Sequence, residues 1–457
     1  MSYKKIFCIG LTFVSIFVEA ETLVDVYQLA LKNDNELKAA HSQYFIDKQS
    51  EDVALSRLLP QISLEGTYGH SSSARKADSS NPFAIDSNKK TNTDTSGYSI
   101  SITQPIFDLS SYRLYQGAVF KGTRANTELK NKEQKLILRV ADAYLQLLKA
   151  KADYKALTGT EQAFLHQFEQ VKLKYSLGLA RIAEVNEAKS SYDSAVANSI
   201  LGQNTIDIQL ELLTVMTGAE HKGSSQFLPD TSVPVTPMKM SAKEWLKLAN
   251  ENNLDIKIAE YKKKEAKKDF QAQSNKHLPT VSARLGYSDN NEDSTFNYTR
   301  PSDVSREEWN AALVLTVPIY SGGSVSALTR EAKHRYYLQK DLLNQTKREV
   351  NQLINSSYLD LLSGSSALKA REVAVKSSEI SLQSIKRDYD SGLSELKELL
   401  DAQRAVFIQK QSYYDALYTY LVAELKLKEA AGVISVEDLF ELNKKLSTEA
   451  SVQGEGT

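Results

Sequence analysis

The chain has 457 residues, and its 56 Lys and Arg residues nearly balance 57 Asp and Glu residues, giving a formal net charge of −1. This balance excludes a polybasic nucleic-acid binder, and we expect no nucleic acid as a partner. Only 19 glycines and 9 prolines occur, about half their usual share, so the chain can carry unusually long helices. The single cysteine, Cys8, excludes a disulfide framework and a cysteine-based metal site.

The N-terminus has the pattern of a secretory signal peptide. Lys4 and Lys5 precede the apolar run 6–18, and a small-x-small cleavage sequence follows. We expect cleavage after Ala20, which removes Cys8 from the mature chain. The apolar run is too short for a transmembrane helix. The sequence therefore predicts an exported protein without an α-helical membrane span, which could still meet a membrane as a β-barrel.

The rest of the chain is one unit of about 215 residues used twice. Leu59 corresponds to Leu278, and Gly218 corresponds to Gly432, with further matches in the same order between them. Two similar halves are therefore predicted. The predicted division is a signal peptide at 1–20, a first repeat at 21–218, a linker at 219–240, a second repeat at 241–432, and a C-terminal segment with a short tail at 433–457.

Each half has the same predicted order: helix, short strand, polar loop, strand, very long helix and final helix. In the first half these elements are expected at 23–57, 61–69, 70–96, 97–105, 108–176 and 180–217. In the second half they are expected at 241–277, 280–288, 289–308, 309–318, 322–390 and 394–431. The long helices would each measure about 100 Å. Apolar residues in them recur at coiled-coil-like spacing, for example Leu136, Val140 and Leu147, so an elongated antiparallel bundle is predicted.

The strands alternate apolar and polar residues, as where Ile62 and Leu64 flank Ser63. Their length suits a crossing of an outer membrane, where tyrosines near the strand ends would form an aromatic girdle. Four strands do not close a barrel, and lipid does not tolerate open sheet edges, so the barrel would be shared between chains. Two soluble hairpins on a helical rod are the alternative. The girdle tyrosines are Tyr68, Tyr98, Tyr287 and Tyr320.

Motifs at the element junctions give the chain a specific resemblance. Their order, spacing and duplication resemble the TolC family of outer-membrane efflux and type I secretion channels, over essentially all of the mature chain. The motifs are Leu58-Leu59-Pro60, Pro105-Ile106-Phe107, Tyr175-Ser176-Leu177-Gly178-Leu179, Pro318-Ile319-Tyr320-Ser321-Gly322-Gly323 and Tyr389-Asp390-Ser391-Gly392-Leu393.

The resemblance implies a mainly α protein with a small β part, assembled as a homotrimer. Three chains with four strands each would form a twelve-stranded outer-membrane β-barrel, continued by a long periplasmic α-helical barrel. An equatorial belt would form from the linker 219–240 and the C-terminal segment near 436–446. The implied partners are outer-membrane lipid, a periplasmic adaptor (a membrane fusion protein) and an inner-membrane pump. No cofactor, metal or catalytic residue is implied.

The resemblance also implies a gate at the periplasmic helix–turn–helix tips. Glu398 and Asp401 match two ring carboxylates, Glu184 matches an acidic constriction residue, and Tyr389 matches a constriction tyrosine. Ser394 stands where the family has an arginine, so Arg181 on the other hairpin is a possible substitute. The implied adaptor-docking tips are Gly178, Leu179, Gly392 and Leu393.

The attraction of cations by an acidic ring follows from charge and symmetry, independently of the resemblance. Glu398 and Asp401 are three residues apart and share a helix face. Threefold symmetry would bring six carboxylates towards one axis, where they attract cations. The alternative is that both are ordinary solvated helix charges.

The predicted function is a passive exit duct in the outer membrane of a Gram-negative bacterium, extending into the periplasm. It would carry substrates from the adaptor and pump to the outside. A soluble periplasmic coiled-coil scaffold or adaptor without a pore is the alternative. The sequence does not distinguish drugs, metal ions and secreted proteins as cargo.

Overall fold

The computed structural model of the chain describes residues 22–76, 88–221, 226, 228, 240–296 and 300–447. The predicted signal peptide, most of the predicted linker and the C-terminal tail lie outside these residues. None of the helices in the described ranges combines the length and apolar character needed to cross a membrane.

The elements of the first half are α1 (Leu23–Asn33), α2 (Asn35–Ser56), β1 (Gln61–Lys76), β2 (Asn88–Phe107), α3 (Leu109–Ser176) and α4 (Ile182–Thr217). Those of the second half are α5 (Ala242–Asn252), α6 (Leu254–Asn275), β3 (Thr280–Phe296), β4 (Arg300–Thr316), α7 (Ser324–Asp390) and α8 (Leu396–Ala430). A last helix, α9 (Val436–Ser447), follows. The two halves therefore have the same order of elements.

The first helical stretch of each half is two helices rather than the one predicted. Asp34 leaves the helical conformation with φ −56° and ψ 118°, and its Oδ1 accepts a hydrogen bond from the Leu37 N–H at 2.7 Å. Asn253 has nearly the same backbone angles, and its side-chain amide donates to the Ala430 carbonyl at 2.9 Å. Short polar side chains satisfy helix-terminal groups in this way and so favour helix ends over helix interiors.

The strands are much longer than predicted, because the segments interpreted as polar loops, 70–96 and 289–308, are largely strand. The central residues of those segments, 77–87 and 297–299, lie outside the described residues. In the extended part the ladder continues with polar side chains, as where the Ser72 hydroxyl donates to Asn92 Oδ1 at 2.7 Å. Both faces are polar there, so the alternation that predicts a strand is missing.

The four strands form one antiparallel sheet in the order β1-β2-β3-β4. Their register places Leu64, Ile100, Tyr287 and Trp309 in a single row across the sheet. Leu64 is 72% exposed and Trp309 78% exposed, so this apolar face is uncovered. Within the described residues, β1 and β4 each pair on one side only, which leaves two open sheet edges.

The chain divides into two compact units, one of which comprises residues up to His41, Leu129–Leu254 and residues from Lys347 onwards. Tyr144 of α3 is fully buried in this unit, and its hydroxyl donates to Gln226 at 2.6 Å. Gln226 in turn donates to Asn443 of α9 at 3.1 Å. This network fixes the C-terminal helix against the long helix.

The other unit comprises Ser42–Glu128 and Asp255–Thr346 and contains the sheet. Ion pairs join its helices: Arg124 of α3 contacts Glu265 of α6 at 3.3 Å, and Lys121 contacts Asp47 of α2 at 3.1 Å. The Ser110 hydroxyl also donates to a backbone carbonyl of α6 at 2.9 Å. α3 is therefore held to both α2 and α6 within this unit.

Candidate functional site

The turn between α3 and α4 is a Schellman motif, which ends a helix with a left-handed residue. Gly178 has φ +77° and its N–H donates to the Tyr175 carbonyl at 2.9 Å, while the Leu179 N–H donates to the Lys174 carbonyl at 2.8 Å. Glycine adopts this conformation without a Cβ penalty.

The turn between α7 and α8 repeats the same geometry. Gly392 has φ +76°, and the Leu393 N–H donates to the Asp388 carbonyl at 2.8 Å. Leu179 and Leu393 are 74% and 82% exposed. The two turns therefore present matched, uncovered leucines at the positions predicted to dock an adaptor.

Gly178→Ala and Gly392→Ala are each expected to destabilise their turn by about 1 kcal/mol, because a side chain disfavours the left-handed conformation. Hydrogen exchange of the turn amides should speed up by about fivefold to tenfold. Gly159→Ala is the matched control: this glycine lies inside α3 with open space around it, and alanine there should stabilise the helix by about 0.5–1 kcal/mol. Unchanged exchange at both turns would contradict the prediction.

An apolar cluster lies beneath the tips. It joins α3, α4 and α8, and its buried members are Phe164, Val171, Ala188, Ala195, Leu396 and Leu400. Tyr389 at the end of α7 packs against it and is partly buried. All four helices of the two hairpins therefore contribute to one packed group, so each tip supports the other.

Glu398 and Asp401 are both exposed on α8, on the opposite side from Leu396 and Leu400. The Ser394 hydroxyl contacts the Glu398 carboxylate. Asp401 accepts a hydrogen bond from an arginine one turn further along the same helix. The structure thus brings the two predicted ring carboxylates together on one accessible helix face. Their role as a ring stays a prediction.

The first hairpin contributes a separate ion pair. Arg181 Nε donates to Glu184 Oε1 at 2.9 Å. The hydrogen bond and charge of Glu184 raise the pKa of Arg181, and Glu395 of the second hairpin adds to the effect. Arg181 therefore pairs within its own hairpin while lying in the field of a carboxylate on the other. Its role as a substitute for the missing arginine stays a prediction.

Tyr389 is placed against the end of α3. The Lys174 ammonium lies 4.6 Å from the centre of its ring, which is cation–π distance. The predicted constriction tyrosine therefore contacts the first hairpin as well as the apolar cluster. Its role in narrowing a pore stays a prediction.

Sequence reasoning missed Arg404, which joins the two hairpins. Its Nη2 donates to Ser191 Oγ of α4 at 2.9 Å, and its Nη1 donates to Asp401 at 3.2 Å. The guanidinium also lies 6.0 Å from the ring centre of Phe164. The three-residue spacing of Asp401 and Arg404 was a readable signal for an ion pair. The contact with Ser191 was not, because it depends on helix packing.

Sequence reasoning also missed a second group of charges, which lies between α3 and α8 farther from the turns. Lys149 Nζ is 2.7 Å from Asp415 Oδ1 and 3.6 Å from Asp153 Oδ2. Asp153 Oδ1 is buried without a hydrogen-bond partner among the described residues. Burial raises the pKa of Asp153 to about 6; Lys149 opposes the change, and Asp415 adds to it.

Asp153→Asn is expected to stabilise the protein at pH 7–8 and to have little effect near pH 4. A raised pKa means that folding favours the protonated acid, so stability is lost as the pH rises from about 4 through 6. The loss amounts to at most about 3 kcal/mol. Denaturant unfolding across this pH range measures it. Asp193→Asn, at an exposed site on α4, is the control, and an equal response in both variants would contradict the assignment.

The predicted girdle tyrosines lie along the sheet and just beyond it. Tyr98 and Tyr287 have ring centres 6.1 Å apart, and Tyr68 is exposed on β1. Tyr320 follows the end of β4 and is also exposed. Trp309, opposite Tyr287 in the register, was missed, although its position at the start of the predicted strand 309–318 was a usable signal.

The chain matches a known protein family over most of its length. The family model described as outer membrane efflux protein matches residues 26–219 and 245–433. The chain is 28% identical to outer membrane protein TolC of Escherichia coli, over 96% of this chain and 87% of that protein. It is 24% identical to proteases secretion protein PrtF of Dickeya chrysanthemi, over 93% of this chain and 91% of that protein.

The fold is also similar to solved structures. The CmeC outer membrane channel of Campylobacter jejuni superimposes with a TM-score of 0.74 at 17% identity, covering 94% of this chain and 91% of that chain. A likeness at this identity shows a shared fold.

Proposed function

The chain belongs to the outer membrane efflux protein family, and we propose that it is the exit duct through which an efflux pump or a type I secretion system discharges to the outside. Family membership confirms the predicted resemblance, the mainly α fold with a small sheet, and a transport role rather than an enzymatic one. Similarity to TolC and to a protease secretion protein supports both kinds of system.

The observation that carries the proposal is the sheet. It has one exposed apolar face, a row of aromatic and aliphatic side chains at Leu64, Ile100, Tyr287 and Trp309, and two open edges. In water such a face is an aggregation hazard, and in lipid open edges are not tolerated. Three copies with β1 of one paired to β4 of the next would satisfy both requirements as a twelve-stranded barrel. Tyr68, Tyr98, Tyr287 and Tyr320 would serve as its interfacial aromatics.

The helical hairpins would form the periplasmic end of the duct. Glu398 and Asp401, exposed on the face of α8 away from the tip core, would line the entrance and favour cations. Glu184, Tyr389 and Arg181 would contribute to the constriction. The exposed Leu179 and Leu393 beside their glycines would meet a periplasmic adaptor that connects the duct to an inner-membrane pump.

The chain is an outer-membrane protein, and delivery there would use the N-terminal segment as a signal peptide cleaved after Ala20. The alternative of a soluble periplasmic scaffold is less well supported, because it gives no role to the uncovered apolar face of the sheet.

Insertion into planar lipid bilayers tests the proposal. The purified mature protein should give discrete single-channel steps and should fractionate with the outer membrane as a trimer. Leu313→Lys, on the apolar face, should reduce insertion strongly, because a lysine facing lipid costs about 2–4 kcal/mol in each copy. Val314→Lys, its neighbour on the opposite face, is the control and should still insert. Failure of the well-folded natural protein to insert would overturn the proposal.

A further inference from the structure

We propose that Arg113 of α3 and Lys268 of α6 form a binding site for a phosphate-bearing anion, occupied by the headgroup of an acidic phospholipid in the periplasmic leaflet of the outer membrane. The inference rests on the outer-membrane placement of the sheet and goes beyond the proposed transport function.

The two cations converge on one neutral acceptor. Arg113 Nη1 donates to Gln116 Oε1 at 2.8 Å, and Lys268 Nζ donates to the same oxygen at 2.9 Å. Two positive side chains brought to one uncharged carbonyl leave a local excess of positive charge. An anion close to both would offset their repulsion.

Neither cation has a carboxylate partner within the described residues, although other basic side chains of the same unit do. Arg113 Nε is buried and donates no hydrogen bond to any described residue. Burial and the like charges of Arg113 and Lys267 lower the pKa of Lys268. The Nη groups of Arg113 beside the repelled ammonium of Lys268 are a donor set suited to phosphate oxygens.

The site also lies at a suitable depth. Arg113 is four residues into α3, about 6 Å along the helix from its start beside β2. Lys268 is seven residues, about 10 Å, before the end of α6, which leads into β3. The headgroup region extends only about 5–8 Å beyond the hydrocarbon on each side. Long basic side chains can reach from these positions into that region.

Binding of phosphatidylglycerol to the purified full chain, measured by native mass spectrometry in a neutral detergent, tests the site. Phosphatidylcholine and inorganic phosphate are the comparison ligands. The natural protein should prefer phosphatidylglycerol, and Arg113→Gln with Lys268→Gln should weaken its binding by about tenfold or more, the loss expected for two charge-assisted contacts. Arg330→Gln with Lys340→Gln removes the same charge from exposed positions of α7 in the same unit and should leave binding unchanged.

Arg113→Lys with Lys268→Arg keeps both charges and should retain most of the binding, which separates a charge effect from misfolding. Equal binding by the natural protein and the Gln double variant would overturn the site. Full displacement by an equal concentration of inorganic phosphate would overturn the lipid as its occupant. Loss of lipid preference in the natural protein with intact single-channel steps would overturn the lipid site and leave the transport function standing. Absence of insertion with intact lipid preference would overturn the transport function and the outer-membrane setting of the site, while its affinity for the acidic headgroup would stand.

Discussion

Neutralising Glu398 and Asp401 is expected to abolish the cation preference that we propose for the pore. Glu398→Gln with Asp401→Asn keeps the size of both side chains and removes six charges from the trimer we propose. Crowded surface charges generate potentials of several kT. A free-energy difference of about 1.4 kcal/mol changes the ratio of cation to anion permeability tenfold, so this ratio should fall by about tenfold towards unity. Reversal potentials in a salt gradient across a planar bilayer measure the ratio.

Glu187→Gln with Glu211→Gln is the matched control, since it removes the same number of exposed carboxylates from α4. We expect it to leave the ratio nearly unchanged. If the two double variants alter selectivity equally, the effect belongs to the overall charge of the chain and the ring assignment is wrong. If neither alters it, ion selection takes place elsewhere in the channel.

The long helices could be predicted closely because their ends carry strong local signals. α3 and α7 begin within two residues of the predicted positions and end where expected, since prolines precede them and glycines follow them. The strands could be predicted only where one face is apolar. Beyond Tyr68 and Trp309 the residues on both faces become mainly polar, and only pairing with neighbouring strands keeps the chain extended.

The features of the candidate site also fall into two groups, those that the sequence predicts and those that depend on packing. The tip glycines and the shared helix face of Glu398 and Asp401 follow from local spacing, so the sequence was sufficient. The contact of Arg404 with Ser191 joins residues 213 positions apart, and the burial of Asp153 depends on how α3 and α8 pack. Such features arise from tertiary structure, and a single sequence carries no signal for them.

Arg404→Leu is expected to loosen the helical tips that we propose as a gate and to raise single-channel conductance. The substitution removes the charge-assisted bonds to Asp401 and Ser191 and leaves the buried Ser191 hydroxyl without its donor. Loss of these contacts costs about 2 kcal/mol, which would raise the population of an open state about 30-fold. Lys397→Leu is the control, because it removes an exposed charge from the same helix, and it should leave the conductance unchanged.

Two further measurements distinguish the loss of the Arg404 link between α4 and α8 from a simple effect of removing a charge. Removing a cation beside Asp401 should strengthen cation selectivity, opposite to the expected effect of the acidic double variant. Ser191→Ala alone should loosen the tips less than Arg404→Leu, and the combined variant should add little to Arg404→Leu, because both remove the same bond. Additive effects on conductance would show that Arg404 and Ser191 act independently. The link between α4 and α8 would then have no part in holding the tips closed.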